Sequence, residues 1–284
     1  MSTPMVTKRA SRRLTTVQRH PVSLFFALTY AVSWSLWMPL VVFGDRMPGT
    51  LGFVLTVLGS LVPSTVGILI VARLHGKRGV RTLLGRLLKG RVGFRWYLAV
   101  LLLPLLVPLS VGLSVLFGGE SPVIASTIVG IVVGFAFSIF PGSALGEELG
   151  WRGLALPRLQ AHHSALRASL IVGAFWGFWH LPLYLIGLEG RPLTLFPAFV
   201  LSVVAASVVC TWMYNGTGGS LLIVVLYHAT ANLPLTVFLE PLGGRAAQPF
   251  LIYVALSVVT AVAIVVATGP EHLSRTHRKQ VTTP

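Results

Sequence analysis

Eight apolar runs of about 20 residues or more divide this chain of 284 residues. A run of that length forms a helix that can cross the ~30 Å hydrocarbon layer of a bilayer. The runs cover residues 22–44, 50–73, 95–117, 122–146, 166–187, 194–214, 219–239 and 248–268. The sequence therefore predicts an all-α, polytopic helical membrane protein with about eight transmembrane helices.

The composition agrees with a chain that is mostly membrane-embedded. Only 10% of the residues are charged, against roughly 25% in soluble domains, and the mean hydropathy is +0.82. The connections between the runs are short, which leaves no room for a second soluble domain. We expect one transmembrane domain over residues 22–268, preceded by a basic cytoplasmic tail over 1–21 and followed by another over 269–284.

The net charge of +15 is distributed unevenly along the chain. When the spans are threaded with the N-terminus inside, all of the 22 Lys and Arg residues except Arg46, Arg191 and Arg245 fall on the inner side. This is the positive-inside pattern, and it predicts a multi-pass plasma-membrane protein with both termini cytoplasmic. The pattern also explains the basic charge without a nucleic-acid partner.

Residues 77–95 combine cationic side chains with an apolar stripe of four leucines. The stripe consists of Leu83, Leu84, Leu87 and Leu88. This combination favours an amphipathic helix after the second span, lying in the cytoplasmic interface against anionic lipid. The alternative is a basic loop that only sets the topology.

Two adjacent carboxylates stand out because the whole chain has only seven Asp and Glu residues. They are Glu147 and Glu148, at the end of the fourth predicted span, and Arg152 follows Glu148 four residues later. Residues four apart share a helix face, so Glu148 and Arg152 can pair while Glu147 points elsewhere. Ionisable groups at membrane depth are costly and are functional candidates by default.

Three further polar side chains lie in later apolar runs. His180 is in the fifth predicted span, where Gly173 and Gly177 form a small-residue face suited to close helix contact. His228 and Asn232 are four residues apart in the seventh span and share a face.

Together these residues predict a hydrolytic site. Two histidines and a carboxylate can ligate zinc and leave a position for water. Alternatively, a glutamate and a histidine activate water directly, while the second histidine and the asparagine donate to an oxyanion. Both arrangements can hydrolyse an amide, and the sequence leaves the choice open. Taken singly, each residue has a plainer interpretation, such as an interhelical hydrogen bond or an interfacial charge.

Three short motifs in this order resemble the CPBP family (CAAX protease and bacteriocin-processing, also called Abi) of intramembrane proteases. They are the Glu-Glu-x-x-x-Arg motif at 147–152, the aromatic-x-x-x-His motif at 176–180 and the His-x-x-x-Asn motif at 228–232. All three lie within residues 141–235. One departure is visible, because the family usually has phenylalanine where this chain has Trp176. We expect this exchange to reshape the pocket wall rather than the chemistry.

The resemblance implies an endopeptidase whose substrate is a membrane-associated peptide or protein. It assigns catalytic roles to Glu147, as the base aided by His180, and to His228 and Asn232, as the oxyanion donors. Glu148 would support the site and Arg152 would anchor it. If the enzyme uses zinc or another divalent metal, the expected ligands are His180, His228 and Glu147, and a mechanism without metal stays open.

The catalytic residues can meet only if the fourth span continues past Arg152 or if the spans tilt around a wet cavity. Pro141-Gly142 makes a kink there plausible, and we predict a funnel that opens to the cytoplasm. Two other functions stay open. A proton-coupled transporter would use the same side chains, and a non-catalytic membrane immunity or scaffold factor would need them only for packing.

Overall fold

The computed structural model describes residues 15–124, 126–187 and 192–275, apart from the side chains of Asp45 and Glu240. Every regular element in these ranges is a helix. Most of the two predicted tails, residues 1–14 and 276–284, lies outside the described residues, and so does Arg191. The division into tails and one transmembrane domain therefore stays a prediction.

In the part of the chain that the structure describes, seven helices are long and apolar enough to cross a membrane, and two more form a bent pair. With the bent pair counted as one span, there are eight, as predicted. In chain order the helices are α1 (Pro21–Phe43), α2 (Gly49–Leu88), α3 (Arg95–Leu116), α4 (Ile128–Gly142), α5 (Ala144–Gln160), α6 (Ala165–Leu185), α7 (Leu193–Gly216), α8 (Leu221–Leu239) and α9 (Ala247–Thr268). The chain is an all-α polytopic membrane protein.

The fourth predicted span, 122–146, differs most from the structure. The helix begins later, at Ile128, and α4 and α5 meet at an angle of 41°. Phe140 leaves helical geometry, with φ −160° and ψ 132°. The residue before a proline is disfavoured in the helical region, so Pro141 accounts for the break. The predicted kink is thus present, and the helix resumes and runs past Arg152, as the approach of the catalytic residues requires.

The basic segment after the second span is helical. Gly76 interrupts α2 with a φ of +62°, and the helix then continues in a new direction to Leu88. Leu83 is fully buried, whereas Leu88 is 86% exposed. The four leucines therefore do not all share one environment. Leu83 packs over Gly153 of α5, which ties the basic segment to the helix that carries the two glutamates.

The backbones of α5 and α2 approach each other closely where the two helices cross, because both have small residues there. A Cβ added to Gly67 of α2 would lie 2.9 Å from the Cα of Gly150. A Cβ added to Gly146 would lie 2.6 Å from the carbonyl oxygen of Ser60. Such contacts allow close packing between helices that have no hydrophobic driving force in lipid. They hold α5 inside the bundle, so that its polar residues are enclosed by protein.

Helix α6 packs against α7 through the small-residue face that the sequence predicts. A Cβ on Gly173 would lie 2.8 Å from the Cα of Val204, and one on Gly177 would lie 3.2 Å from the Cα of Val200. Helix α1 holds the other side of α6, because the Trp34 indole Nε1 donates to the carbonyl oxygen of Trp179 at 3.0 Å. The part of α6 around His180 is therefore fixed from both sides.

Candidate active site

The first pair of the site lies within a single helix. Glu148 and Arg152 of α5 are both fully buried. Nη1 of Arg152 donates to Oε1 of Glu148 at 2.9 Å and to Oε2 at 3.1 Å. The four-residue spacing places them on one helix face, as predicted. Breaking a buried pair of this kind leaves an uncompensated charge, so the two groups constrain each other strongly.

Glu148 also fixes a histidine from another helix. Nδ1 of His228, on α8, is 2.8 Å from Oε1 of Glu148. A carboxylate can only accept, so Nδ1 carries the hydrogen and Nε2 is the nitrogen left for chemistry. Glu148 therefore acts behind the site, where it links Arg152 to His228.

Glu147 has a different set of contacts from its neighbour. Its Oε2 accepts a hydrogen bond from the indole Nε1 of Trp176, on α6, at 2.5 Å. The guanidinium carbon of Arg152 lies 4.2 Å from the centre of the Trp176 ring, a distance typical of a cation–π contact. The two adjacent carboxylates thus have different partners: Glu148 pairs with the arginine, and Glu147 accepts from an indole N–H.

His180 lies at a turn within α6, between Trp179 and Leu181. Its Nδ1 lies 2.8 Å from the carbonyl oxygen of Trp176, one turn earlier. A carbonyl only accepts, so Nδ1 donates and Nε2 is again the available nitrogen. The ring also packs edge to face against Phe199 of α7, with ring centroids 5.2 Å apart. Backbone and packing together fix the orientation of this imidazole.

Asn232 lies one turn after His228 on α8. Its Nδ2 donates to Oγ of Ser143 at 3.0 Å and reaches Oγ of Ser138 at 3.5 Å. Both serines flank the break between α4 and α5, so the bent pair holds the amide. This contact orients the N–H groups of Asn232 next to the glutamate-bearing helix.

One cavity of about 480 Å³ joins these side chains. Its polar wall includes Glu147, His180, His228 and Asn232. Its remaining wall is largely apolar and includes Leu103, Phe137, Leu183, Phe199, Val203, Leu235 and Phe250. The cavity that the sequence predicts is therefore present, and the side of the membrane to which it opens stays a prediction.

The structure thus brings four of the five Glu, His and Asn side chains predicted for the site together at one cavity. Glu148, the fifth, does not line the cavity but contacts His228 behind it. The contact of Trp176 with Glu147 was not predicted, since the sequence indicates only a changed pocket wall at this position. The available signal was chemical: an indole carries an N–H donor that phenylalanine lacks. The contact of Ser143, which directly precedes α5, with Asn232 was not predicted either.

The predicted metal ligands can be compared with these contacts. Over the described ranges, no three His, Cys, Asp or Glu side chains form a group that could hold a metal ion. His180 and His228 each use Nδ1 in their contacts, and Glu147 uses Oε2. Each of the three residues therefore keeps a second donor atom. Metal binding by His180, His228 and Glu147 stays a prediction.

Two comparisons with known proteins bear on this cavity. Residues 129–234 match the family described as type II CAAX prenyl endopeptidase Rce1-like. That range contains all three motifs at the site. The chain is also similar to CAAX prenyl protease 2 of Methanococcus maripaludis, with 27% identity over 229 residues, which cover 74% of this chain and 82% of the relative. The similarity therefore extends well beyond the three motifs.

Proposed function

We propose that this chain, which belongs to the CPBP family of CAAX-type intramembrane proteases, hydrolyses its substrate through water activated by Glu147. The family makes it a peptide hydrolase acting on a peptide or protein. The residue roles and the substrate class given below are our proposal. One observation carries it: Glu147, His180, His228 and Asn232 come from three spans and line one cavity.

The proposed reaction begins at Glu147. Its carboxylate takes a proton from a water molecule, and the water oxygen attacks the carbonyl carbon of the scissile bond. His180, whose Nε2 is available, helps to align this water. The proton then passes to the leaving amine nitrogen as the carbon–nitrogen bond breaks. A carboxylate buried among protein groups is suited to this task, because no bulk water competes for its lone pairs.

Negative charge develops on the carbonyl oxygen in the transition state. Asn232 donates to it from its amide. His228 donates from Nε2 in its protonated, imidazolium form, with its Nδ1–H held by Glu148. Pre-oriented donors of this kind are usually the largest single contribution to such reactions. Arg152 neutralises the charge of Glu148 and keeps it in place.

The apolar wall supports a substrate that is itself membrane-associated. Leu183 of α6, Phe199 of α7 and Phe250 of α9 face the same cavity as Glu147. A cavity mostly lined by such residues, with few polar groups, binds an apolar group close to the reacting bond. The relative's name, CAAX prenyl protease 2, is consistent with a lipid-modified peptide. We propose a peptide that carries a bulky apolar or lipidated residue beside the cleavage site.

We further propose that the basic end of α2 lies at the cytoplasmic face against anionic lipid. Helix α2 turns at Gly76, and Arg78 and Arg81 after the turn are exposed. Lys89 donates from Nζ to the carbonyl oxygen of Gly218 at 2.7 Å, which fixes the segment against the loop before α8. Exposed cations on a fixed surface attract acidic headgroups. Both termini are then cytoplasmic.

The experiment compares cleavage by purified wild type, Glu147→Gln and His180→Ala in lipid nanodiscs. A panel of fluorogenic peptides with and without a lipidated cysteine serves as substrate. Glu120→Gln is the matched control, because it makes the same chemical change at an exposed glutamate that pairs with Arg245. We expect turnover to fall by about 10³-fold or more in Glu147→Gln and to stay near wild type in Glu120→Gln. Equal turnover by Glu147→Gln and wild type would refute the proposal.

A further inference from the structure

Trp176 contacts four residues of the site, which is more than lining the cavity requires. Its indole Nε1 donates to Oε2 of Glu147 at 2.5 Å. The Arg152 guanidinium lies over its ring face, 4.2 Å from the centroid. Its ring centroid is 5.2 Å from that of His228, edge to face. Its backbone carbonyl accepts from Nδ1 of His180 at 2.8 Å.

The contacts of the indole with Arg152 and Glu147 use different parts of the ring system. The ring face carries negative charge density and attracts the Arg152 cation, whereas the ring edge carries the N–H that binds the Glu147 anion. Glu147 and Glu148 are adjacent, but the ion pair of Arg152 in the structure is with Glu148. Trp176 therefore contacts both Arg152 and Glu147, and these two residues need not pair with each other.

The bond to Trp176 also determines which oxygen of Glu147 can act. Oε2 has one lone pair occupied by the indole N–H, so Oε1 is the oxygen better placed to take a proton from water. A carboxylate that is free to rotate would present Oε1 to the cavity only part of the time. A buried, charge-assisted bond holds one rotamer, which is how catalytic groups are kept in a productive geometry.

We propose that Trp176 is a positioning residue: its indole N–H holds Glu147 in the orientation that activates water and keeps this carboxylate apart from Arg152. The inference rests on the proposed function of Glu147 as the base. Position 176 is also where this chain has tryptophan and the family usually has phenylalanine. Phenylalanine retains a ring face for Arg152 but has no N–H for Glu147.

The test compares Trp176→Phe with Trp151→Phe. Trp151 is fully buried and lies beside Arg152, but within the described residues its indole Nε1 has no hydrogen-bond partner, and it does not line the cavity. We expect kcat of Trp176→Phe to fall by about tenfold or more, because the reacting carboxylate loses its charge-assisted hydrogen bond. KM should stay within about threefold of wild type, because the bond acts on the reacting carboxylate rather than on bound substrate. For Trp151→Phe, kcat and KM should both stay at the wild-type values.

Folding is monitored by thermal midpoint and by size-exclusion profile for both variants. If Trp176→Phe does not fold, 3-benzothienylalanine at position 176 replaces the N–H with sulfur and keeps the ring shape. The same loss of kcat is expected from it.

The inference is overturned if Trp176→Phe matches Trp151→Phe in kcat, or if only KM changes, since the latter indicates a substrate contact. The two proposals fail differently. Full activity of Glu147→Gln would overturn both of them. An inactive Glu147→Gln beside a fully active Trp176→Phe would overturn only the role of Trp176.

Discussion

The buried pair of Arg152 and Glu148 yields a quantitative prediction for stability. Both side chains are 0% exposed, and one guanidinium nitrogen bonds both carboxylate oxygens. Removing one partner of such a pair costs about 3–5 kcal/mol, because the other charge stays buried. In Arg152→Met, Glu148 keeps its bond from His228. In Glu148→Gln, Arg152 keeps the Trp176 ring face. We therefore expect each single variant to lower the free energy of unfolding by about 3 kcal/mol, near the lower limit of this range.

The double variant Glu148→Gln/Arg152→Met removes both charges together. It should be less destabilised than the sum of the singles by about 2 kcal/mol or more. The measurement is unfolding in mixed micelles with increasing sodium dodecyl sulfate, followed by tryptophan fluorescence. The exposed pair of Arg245 and Glu120, with side chains 64% and 54% exposed, is the control cycle, and its coupling should stay below about 1 kcal/mol. Equal coupling in the two cycles would refute the reasoning.

Three further predictions address catalysis and packing. Asn232→Ala should lower kcat by about 10²–10³-fold with little change in KM, because its amide acts on the transition-state oxygen; steady-state kinetics test this, and a rise in KM alone contradicts it. Gly150→Ala should lower the thermal midpoint, because a Cβ there would overlap the carbonyl oxygen of Pro63, at a cost of about 1–3 kcal/mol. Gly112→Ala places its Cβ in open space and should keep the wild-type thermal midpoint. Equal midpoints for Gly150→Ala and Gly112→Ala would contradict the close crossing of α5 and α2. Treatment with a zinc chelator should leave turnover within about twofold, and a loss that added Zn²⁺ restores would contradict the direct mechanism.

The spans and the pairing within α5 follow from sequence because they depend on local periodicity. Apolar runs of the right length define the helices, and the spacing of Glu148 and Arg152 fixes a shared face. Gly173 and Gly177 likewise indicate a close helix contact, and the structure confirms it against α7. Each of these features can be recognised within a single element.

Features that depend on two distant elements were not predictable in the same way. The hydrogen bond from Trp176 to Glu147 joins α6 to α5, and nothing in the spacing of either motif specifies it. The contact of Asn232 with Ser143 depends on where the α4–α5 break places the serine. The role of Glu148 behind the cavity likewise depends on how α8 approaches α5. In each case a tertiary packing angle decides which polar groups meet.

The central claim is that one cavity holds the scissile bond between Glu147 and the oxyanion donors. A structure of Glu147→Gln with an uncleaved lipidated peptide in nanodiscs tests it most directly. We predict that the scissile carbonyl oxygen lies about 3 Å from Nδ2 of Asn232, with the side chain of residue 147 facing the carbonyl carbon through one water. A peptide bound elsewhere in the bundle, with residue 147 and both imidazoles facing no part of it, would contradict the account.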